Sequence, residues 1–377
     1  MSDTAKLLCE LIAIPSVNPA FLPPGDARAG EQRVADFAAV IAARAGLDIE
    51  FEKALPGRVN LIARLRPKLR ATKTILLAPH LDTVPAVNEK QFLPRKDGDR
   101  LFGRGACDTK GSVAAMLSAL CALAESKQRP RETEIIFAGL VDEESAQAGS
   151  RALAKSNLKA DLAIVGEPTG LQIVTAHKGN IWFQLDTHGQ AAHGSRPELG
   201  RNAVHAMARI VDAIETDYAA LLRQRRPHPL LGHATVNVGT IRGGTQPNIV
   251  PDSCTITVDR RTLPGETEAG VKRELENFLG RQKLEATFSL ARTEPCLPME
   301  TPAKLPLIQQ FLRSAGQRKP AGMHFFCDAA ILAEGGIPSV VFGPGDIAQA
   351  HTVDEWISLR SLERATEMLV RFLSSQS

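Results

Sequence analysis

Short, unbroken apolar runs alternate with helical stretches in the first half of the chain and return near its C-terminus. TILLAP at 74–79, EIIFAGLV at 134–141, DLAIV at 161–165 and SVVF at 339–342 lack the alternation of a half-exposed strand. Runs of this length between helices predict strands buried on both faces, as in a mainly parallel sheet. Polar residues follow each run: His80-Leu81-Asp82, then Asp142-Glu143-Glu144, then Gly166-Glu167-Pro168, with His351 a few residues past the last. In open α/β sheets, ligands bind beyond the carboxyl ends of the strands. The four runs are therefore expected to deliver His, Asp and Glu to one edge.

Helical spacing marks 3–13, 32–45 (Val34, Phe37, Ile41) and 112–124 (Val113, Met116, Leu117, Leu120, Ala124), and a last helix carries Leu362, Ala365, Leu369 and Phe372. Strands are expected at 48–52 and 59–65. The middle of the chain differs. Residues 181–187, 234–241 and 255–261 alternate apolar with polar, which predicts strands with one solvated face. Residues 202–222 form an amphipathic helix with a stripe of Met207, Val211, Ile214, Tyr218 and Leu221. Pro264-Gly265 precedes a helix at 268–279, and a strand follows at 285–290. The order β-α-β-β-α-β is the ferredoxin-like motif. The fold expected is α/β: a mainly parallel domain of 1–177 and 292–377, with a ferredoxin-like α+β domain of 178–291 inserted into it.

Composition narrows the function. The 377 residues suffice for two domains, and a formal net charge of +3 is too small to point to nucleic acid. The tightest basic cluster, Arg223, Arg225 and Arg226, reads as a solvated helix end. No apolar run reaches membrane-span length, and the N-terminus lacks a signal-peptide pattern. Cysteines 9, 107, 121, 254, 296 and 327 are scattered without a CxxC pair. A cytoplasmic protein with free thiols is expected.

The stretch LFGRGACDTKG at 101–111 places Asp108 in a glycine-rich turn before a helix, without the spacing of a phosphate loop. His80, Asp108, Glu144, Glu167 and His351 form an imidazole–carboxylate set suited to zinc, with cobalt or manganese as alternatives. The set exceeds the needs of one catalytic ion and matches two ions sharing a carboxylate. Asp82 can orient the His80 ring, and Glu143 is the spare acid a hydrolytic general base requires. Singly, each has a plainer reading: a structural His-x-Asp, a solvated helix start, a Glu-Pro turn. Their coincidence at strand ends outweighs those readings.

HLDTVP, GRGACDTKG, DEES, GEPT and GPGDIAQAHTVDEW resemble the signature blocks of the dinuclear zinc aminoacylase and carboxypeptidase family, of the acetylornithine deacetylase and succinyl-diaminopimelate desuccinylase type. The likeness runs over nearly the whole chain. It implies two Zn2+ ions, one on His80 and Glu167, the other on Glu144 and His351, with Asp108 bridging. It makes Glu143 the general base, Asp82 the orienting acid and the Asp108–Thr109 peptide bond cis. HGQAAHGSRPELGRNA resembles the lid segment whose histidine, here His193, reaches a neighbouring subunit's active site, which implies a homodimer through the lid. Asn248 in TQPNIVP and Arg261 in DRRTLPGE match positions that grip a substrate carboxylate, and Lys178 is a lesser candidate. The alternative for Arg261 is an ion pair with a lid acid. Where relatives carry Thr or Ser, this chain has Cys327 before Asp328-Ala329, and a thiol hydrogen-bonds more weakly. The implied substrate is a small N-acyl amino acid, acetylornithine first. A desuccinylase or a glutamate-type carboxypeptidase or dipeptidase is the alternative. A scaffold without catalysis is disfavoured, since no ligand position is lost.

Overall fold

A computed structural model of the chain describes residues 1–126, 129–292 and 294–376. The apolar runs lie side by side as parallel strands, in the order Thr133–Gly139, Lys73–Pro79, Leu162–Gly166 and Ser339–Val341. They are almost wholly buried, which is why they carry no alternation. Antiparallel strands extend the sheet: Arg58–Leu65 and Asp48–Leu55 beyond one edge, Val174–His177 and Met299–Glu300 beyond the other. The result is a mixed sheet with a parallel centre.

The helix Lys110–Glu125 starts two residues earlier than its apolar spacing indicates and is buried on most sides. It packs between the sheet and the helices Asp3–Ile12 and Leu359–Ser374. Buried on more than one side, it needs no polar face, hence its many small and apolar residues. A Cβ on Gly111 would come within 2.6 Å of the Ala106 carbonyl oxygen, so only glycine lets the Asp108 loop fold this tightly onto the helix start.

The chain divides into two compact units. One comprises Met1–Thr175, Thr301–Ala321 and Cys327 onward; the other comprises Ala176–Glu300 and Gly322–Phe326. The second unit takes in 292–300 and 322–326, which the hydrophobic pattern groups with the first. Backbone pairing explains this: Cys296 pairs with Asn180, Met299 with His177, and the Lys178 N–H donates to the Met323 carbonyl at 3.2 Å.

The second unit holds an antiparallel sheet ordered Thr235–Gly243, Ser253–Thr262, Gly179–His188, Thr287–Leu290. Phe183, Leu185, Ile256 and Val258 pack from it against Met207, Ile210 and Leu275 of the helices, giving the ferredoxin-like arrangement. The long helix contains a π segment at Ile214–Tyr218, between Ala203–Ala213 and Ala219–Gln224. The wider turn delays the apolar stripe by one residue. Leu222 is therefore buried, while Leu221, the residue expected inside, is exposed.

Candidate active site

His80 leaves the end of Lys73–Pro79, pinned by a backbone bridge to Leu140, and its ring is buried. Its Nδ1 lies 3.0 Å from the Asp82 carbonyl oxygen and 3.4 Å from Asp82 Oδ1. With Nδ1–H donating there, Nε2 is the nitrogen turned to the carboxylates, the orientation a metal-ligating imidazole needs. Nε2 lies 3.1 Å from Asp108 Oδ1 and 3.9 Å from Glu167 Oε1. The other Asp108 oxygen faces a second histidine, with His351 Nε2 3.3 Å from Oδ2 and 3.1 Å from Glu144 Oε2. The Asp108–Thr109 peptide bond is cis.

Two donor groups emerge, His80–Asp108–Glu167 and Asp108–Glu144–His351, each with its ligand atoms within 4.8 Å of one another. Asp108 belongs to both. A fit for divalent cations follows from the polar atoms themselves. Among the described residues, Glu144 Oε1 and Glu167 Oε1 are buried without a hydrogen-bond partner. Buried carboxylate oxygens are costly unless a donor or a cation meets them.

The electrostatics agree. Burial pushes the Glu143 and Glu167 carboxyls well above the usual range, and nearby carboxylates add to it. Burial, then Asp108, raises Glu144 to about 7. Hydrogen bonds to Asp108 and Glu144 lift His351 to about 10. Burial opposes the charge on Asp108, but hydrogen bonds from His351 and His80 outweigh it and hold its carboxyl low. Crowded acids around two imidazoles are the environment a cation stabilises.

Asp82 does more than face His80. Its Oδ1 accepts the Glu143 N–H at 3.1 Å; its Oδ2 accepts the Glu144 N–H at 3.1 Å and Asn18 Nδ2 at 2.7 Å. Behind it lies a network the sequence reading does not foresee. Asn18 Nδ2 also donates to Asp142 Oδ1 at 3.1 Å, and Arg58 Nη1 donates to the same oxygen at 2.7 Å. Arg58 Nε donates to buried Glu31 at 3.0 Å. Asp142 itself has φ 72°, so this network holds a left-handed residue directly before the Glu143–Glu144 pair. Asp328 ties down the far side of the turn, accepting from Ser150 Oγ at 2.6 Å and Gln147 Nε2 at 3.3 Å. Asp142 stands in DEES and Asp328 beside Cys327, so both lie in stretches the sequence marks; Asn18, Glu31 and Arg58 come from distant segments without such a mark.

His193, Asn248, Arg261 and Lys178 lie in the second unit, Cys327 in the first. His193 is exposed, and its Nδ1 accepts the Ser195 N–H at 3.2 Å, leaving Nε2 to carry the ring proton in the neutral form. Its loop pairs with the Asn248 segment, where Gly194 N donates to the Asn248 carbonyl at 2.6 Å. Arg261 is engaged by Asp259 through Nε at 2.9 Å and Nη2 at 3.2 Å, the ion pair weighed as its alternative. Lys178 Nζ donates to the His233 carbonyl at 2.6 Å. Cys327 is buried beside Asp328. All six cysteines are free. Among the described residues no helix is long and apolar enough to cross a membrane.

Residues 76–375 match the model of peptidase family M20/M25/M40. Acetylornithine deacetylase of Myxococcus xanthus is 32% identical over 352 residues, covering 89% of this chain and 90% of that protein. Acetylornithine deacetylase of Proteus mirabilis (strain HI4320) is 31% identical over 334 residues, covering 85% of this chain and 83% of its own length. Among solved structures, an M20 family metallo-carboxypeptidase of Sulfolobus solfataricus superposes with a TM-score of 0.77 at 21% identity, covering 99% of both chains. A dinuclear metal-binding M20 peptidase of Bacillus subtilis superposes with a TM-score of 0.72 at 14% identity, covering 98% of this chain and 96% of that one. These structures share the fold. The family match over most of the chain, together with full-length relatives above 30% identity, makes this chain a member of peptidase family M20/M25/M40, a family of metal-dependent hydrolases.

Proposed function

We propose that the protein hydrolyses the amide bond of an N-acyl amino acid, most closely as an acetylornithine deacetylase does, with two divalent cations, zinc first. The observation that carries this reading is the pair of donor groups joined at Asp108, with Glu143 fixed beside Glu144 on the Asp82 carboxylate. The names of the curated relatives support the acyl amino-acid class.

His80 and Glu167 would hold one ion, Glu144 and His351 the other, and Asp108 both. When bound, such ions acidify water and polarise the acyl carbonyl. Glu143 takes the proton from the attacking water and passes it to the departing amine. Asp82 fixes the His80 tautomer and the Glu143 backbone together, so base and ligands keep one geometry. His193 donates from Nε2 to the oxyanion. We place it in the site of a second copy of the chain, in a homodimer built on the 178–291 domain. Asn248 and Arg261 bind the substrate carboxylate. Arg261 keeps Nη1 for that contact beside its Asp259 pair. Lys178 would have to release the His233 carbonyl to take part. Buried Cys327, where relatives have a hydroxyl, bears on acyl preference.

The test is kcat/KM of the zinc-loaded protein on N-acetylornithine, N-succinyl-diaminopimelate and a folate-type acyl-glutamate. The acetylated substrate is expected to lead. A higher value for another acyl group would reassign the substrate, and no hydrolysis of any of them would overturn the reading.

A further inference from the structure

We propose that Glu355 is the positioning residue that sets the distance between Asp108 and His351, an inference that rests on the two-cation reading of the cluster. The loop before Asp108 turns its backbone N–H groups inward. Gly105 N donates to Glu355 Oε2 at 3.0 Å, and Cys107 N and Asp108 N donate to Oε1 at 2.8 and 2.9 Å. Arg104 Nη1 completes the set on Oε2 at 2.7 Å. Convergent backbone N–H groups of this kind form an anion-binding concavity. Here the chain supplies its own anion from 250 residues away, and the pair is dry: Glu355 is 1% and Arg104 2% exposed. Hydrogen bonds to a charged acceptor are roughly twice as strong as neutral ones.

The placement matters because Glu355 and His351 share one short segment. His351 is held at its ring by Asp108 and Glu144, yet its side chain is 54% exposed and its backbone is left-handed, with φ 62°, so its own segment has to fix its position. The segment is gripped on the far side of His351. Gly103 N donates to the Glu355 carbonyl at 3.0 Å, and Gln91 Nε2 donates to the Val353 carbonyl at 2.9 Å. Gln91 also accepts the Arg104 N–H through its own carbonyl at 2.7 Å. The Asp108 loop and the His351 segment are thus one clamped assembly, with the Glu355 carboxylate at its centre. Asp108 reaches both donor groups, so tilting its loop would disturb both, and the group containing His351 most.

Glu355→Gln keeps the shape but turns an NH2 toward two N–H donors. Glu355→Asp keeps an acceptor-only carboxylate one methylene short. Cobalt(II) titration followed by visible absorption reads the two ions separately from activity. Wild type is expected to take up two. Glu355→Gln should bind the second ion about 10–100-fold more weakly. Its kcat at limiting cation should fall in step, and its substrate KM should stay unchanged. Glu355→Asp should lie between the two. Should Glu355→Gln not fold, weakened second-ion binding in folded Glu355→Asp carries the same test. Variants with native circular dichroism that bind both ions as wild type does, or an Asp variant no better than the Gln variant, would overturn the proposal. A wild type that takes up no ion would instead overturn the two-cation reading, and this inference with it.

Discussion

Each unit of the protein buries a histidine, and the two rings are held at opposite ends of their range. His80 in the first unit and His177 in the second are 2% and 0% exposed. Burial disfavours the imidazolium at both. At His80, hydrogen bonds to Asp108 and Asp82 and the charge of Glu167 outweigh burial, and the ring is raised well above its usual value. At His177 the opposing influence is the Lys178 carbonyl, 2.9 Å from Nδ1, and burial pushes the ring down to about 4. Its Nε2 is buried without a hydrogen-bond partner among the described residues. Equal burial with opposite outcome shows that partners, not depth, separate a site from a core. The first unit crowds acids together, the arrangement a cation resolves. The second isolates a polar group and leaves it neutral.

The sharpest way to break that contrast is to remove one acid at a time from the crowded side. Glu143→Ala is expected to cut kcat by ~10²–10⁴-fold, the size of lost general acid–base work, while bound metal stays near wild type. Glu144→Ala, one residue on, is expected to deplete the ion that His351 shares. Elemental analysis beside kcat on each variant checks the pair. Full metal in Glu144→Ala with depletion in Glu143→Ala would exchange their roles.

Much of the crowded side is legible in the sequence for a physical reason. Strands buried on both faces have no alternation, so the chain marks where each ends by the charged or titratable residues that follow. His80, Glu144 and Glu167 stand there, and the structure brings them together with Asp108 and His351. The supports behind them are not legible. Asn18, Glu31 and Arg58 act through contacts tens of residues away, and no spacing links them to Asp142. Glu355 sits in a quoted motif, yet nothing local shows that it answers N–H groups of the 105–108 loop. In the second unit the alternating strands are legible, whereas the π turn that trades Leu221 for Leu222 leaves no mark in the apolar pattern.

The exposed side of the second unit offers the next test. His193 meets the exposed Ser195 and no buried partner among the described residues, so under the dimer reading its work depends on a second chain. His193→Ala is expected to lower kcat by ~10²–10³-fold, as losing an oxyanion donor does, with both ions retained. Mixing it with Glu143→Ala should recover part of the activity, because one heterodimer site would then hold an intact His193 and an intact Glu143. No recovery after proven subunit exchange would put His193 in its own chain's site or outside catalysis.

The smallest expected effect sharpens the histidine comparison itself. His177 has a folded value of about 4 against about 6.5 for a free imidazole. Because the folded value is the lower one, the unfolded chain takes up the proton first as pH falls. The native state therefore keeps its full advantage above pH 6.5 and loses it progressively between about 6.5 and about 4. At ~1.4 kcal/mol per pH unit, the loss across that window reaches up to about 3 kcal/mol. The crowded acids around His80 and His351 have their own pH dependence, so the informative quantity is the difference between wild type and His177→Met. Native-state amide exchange in the strands Gly179–His188 and Ser253–Thr262 reads the stability of the second unit directly. Wild type should lose protection there from pH 6.5 downward, and the methionine variant should lose less over the same range. Parallel losses in the two proteins would show that His177 is not held neutral, and that depth without a charged partner does not separate these histidines.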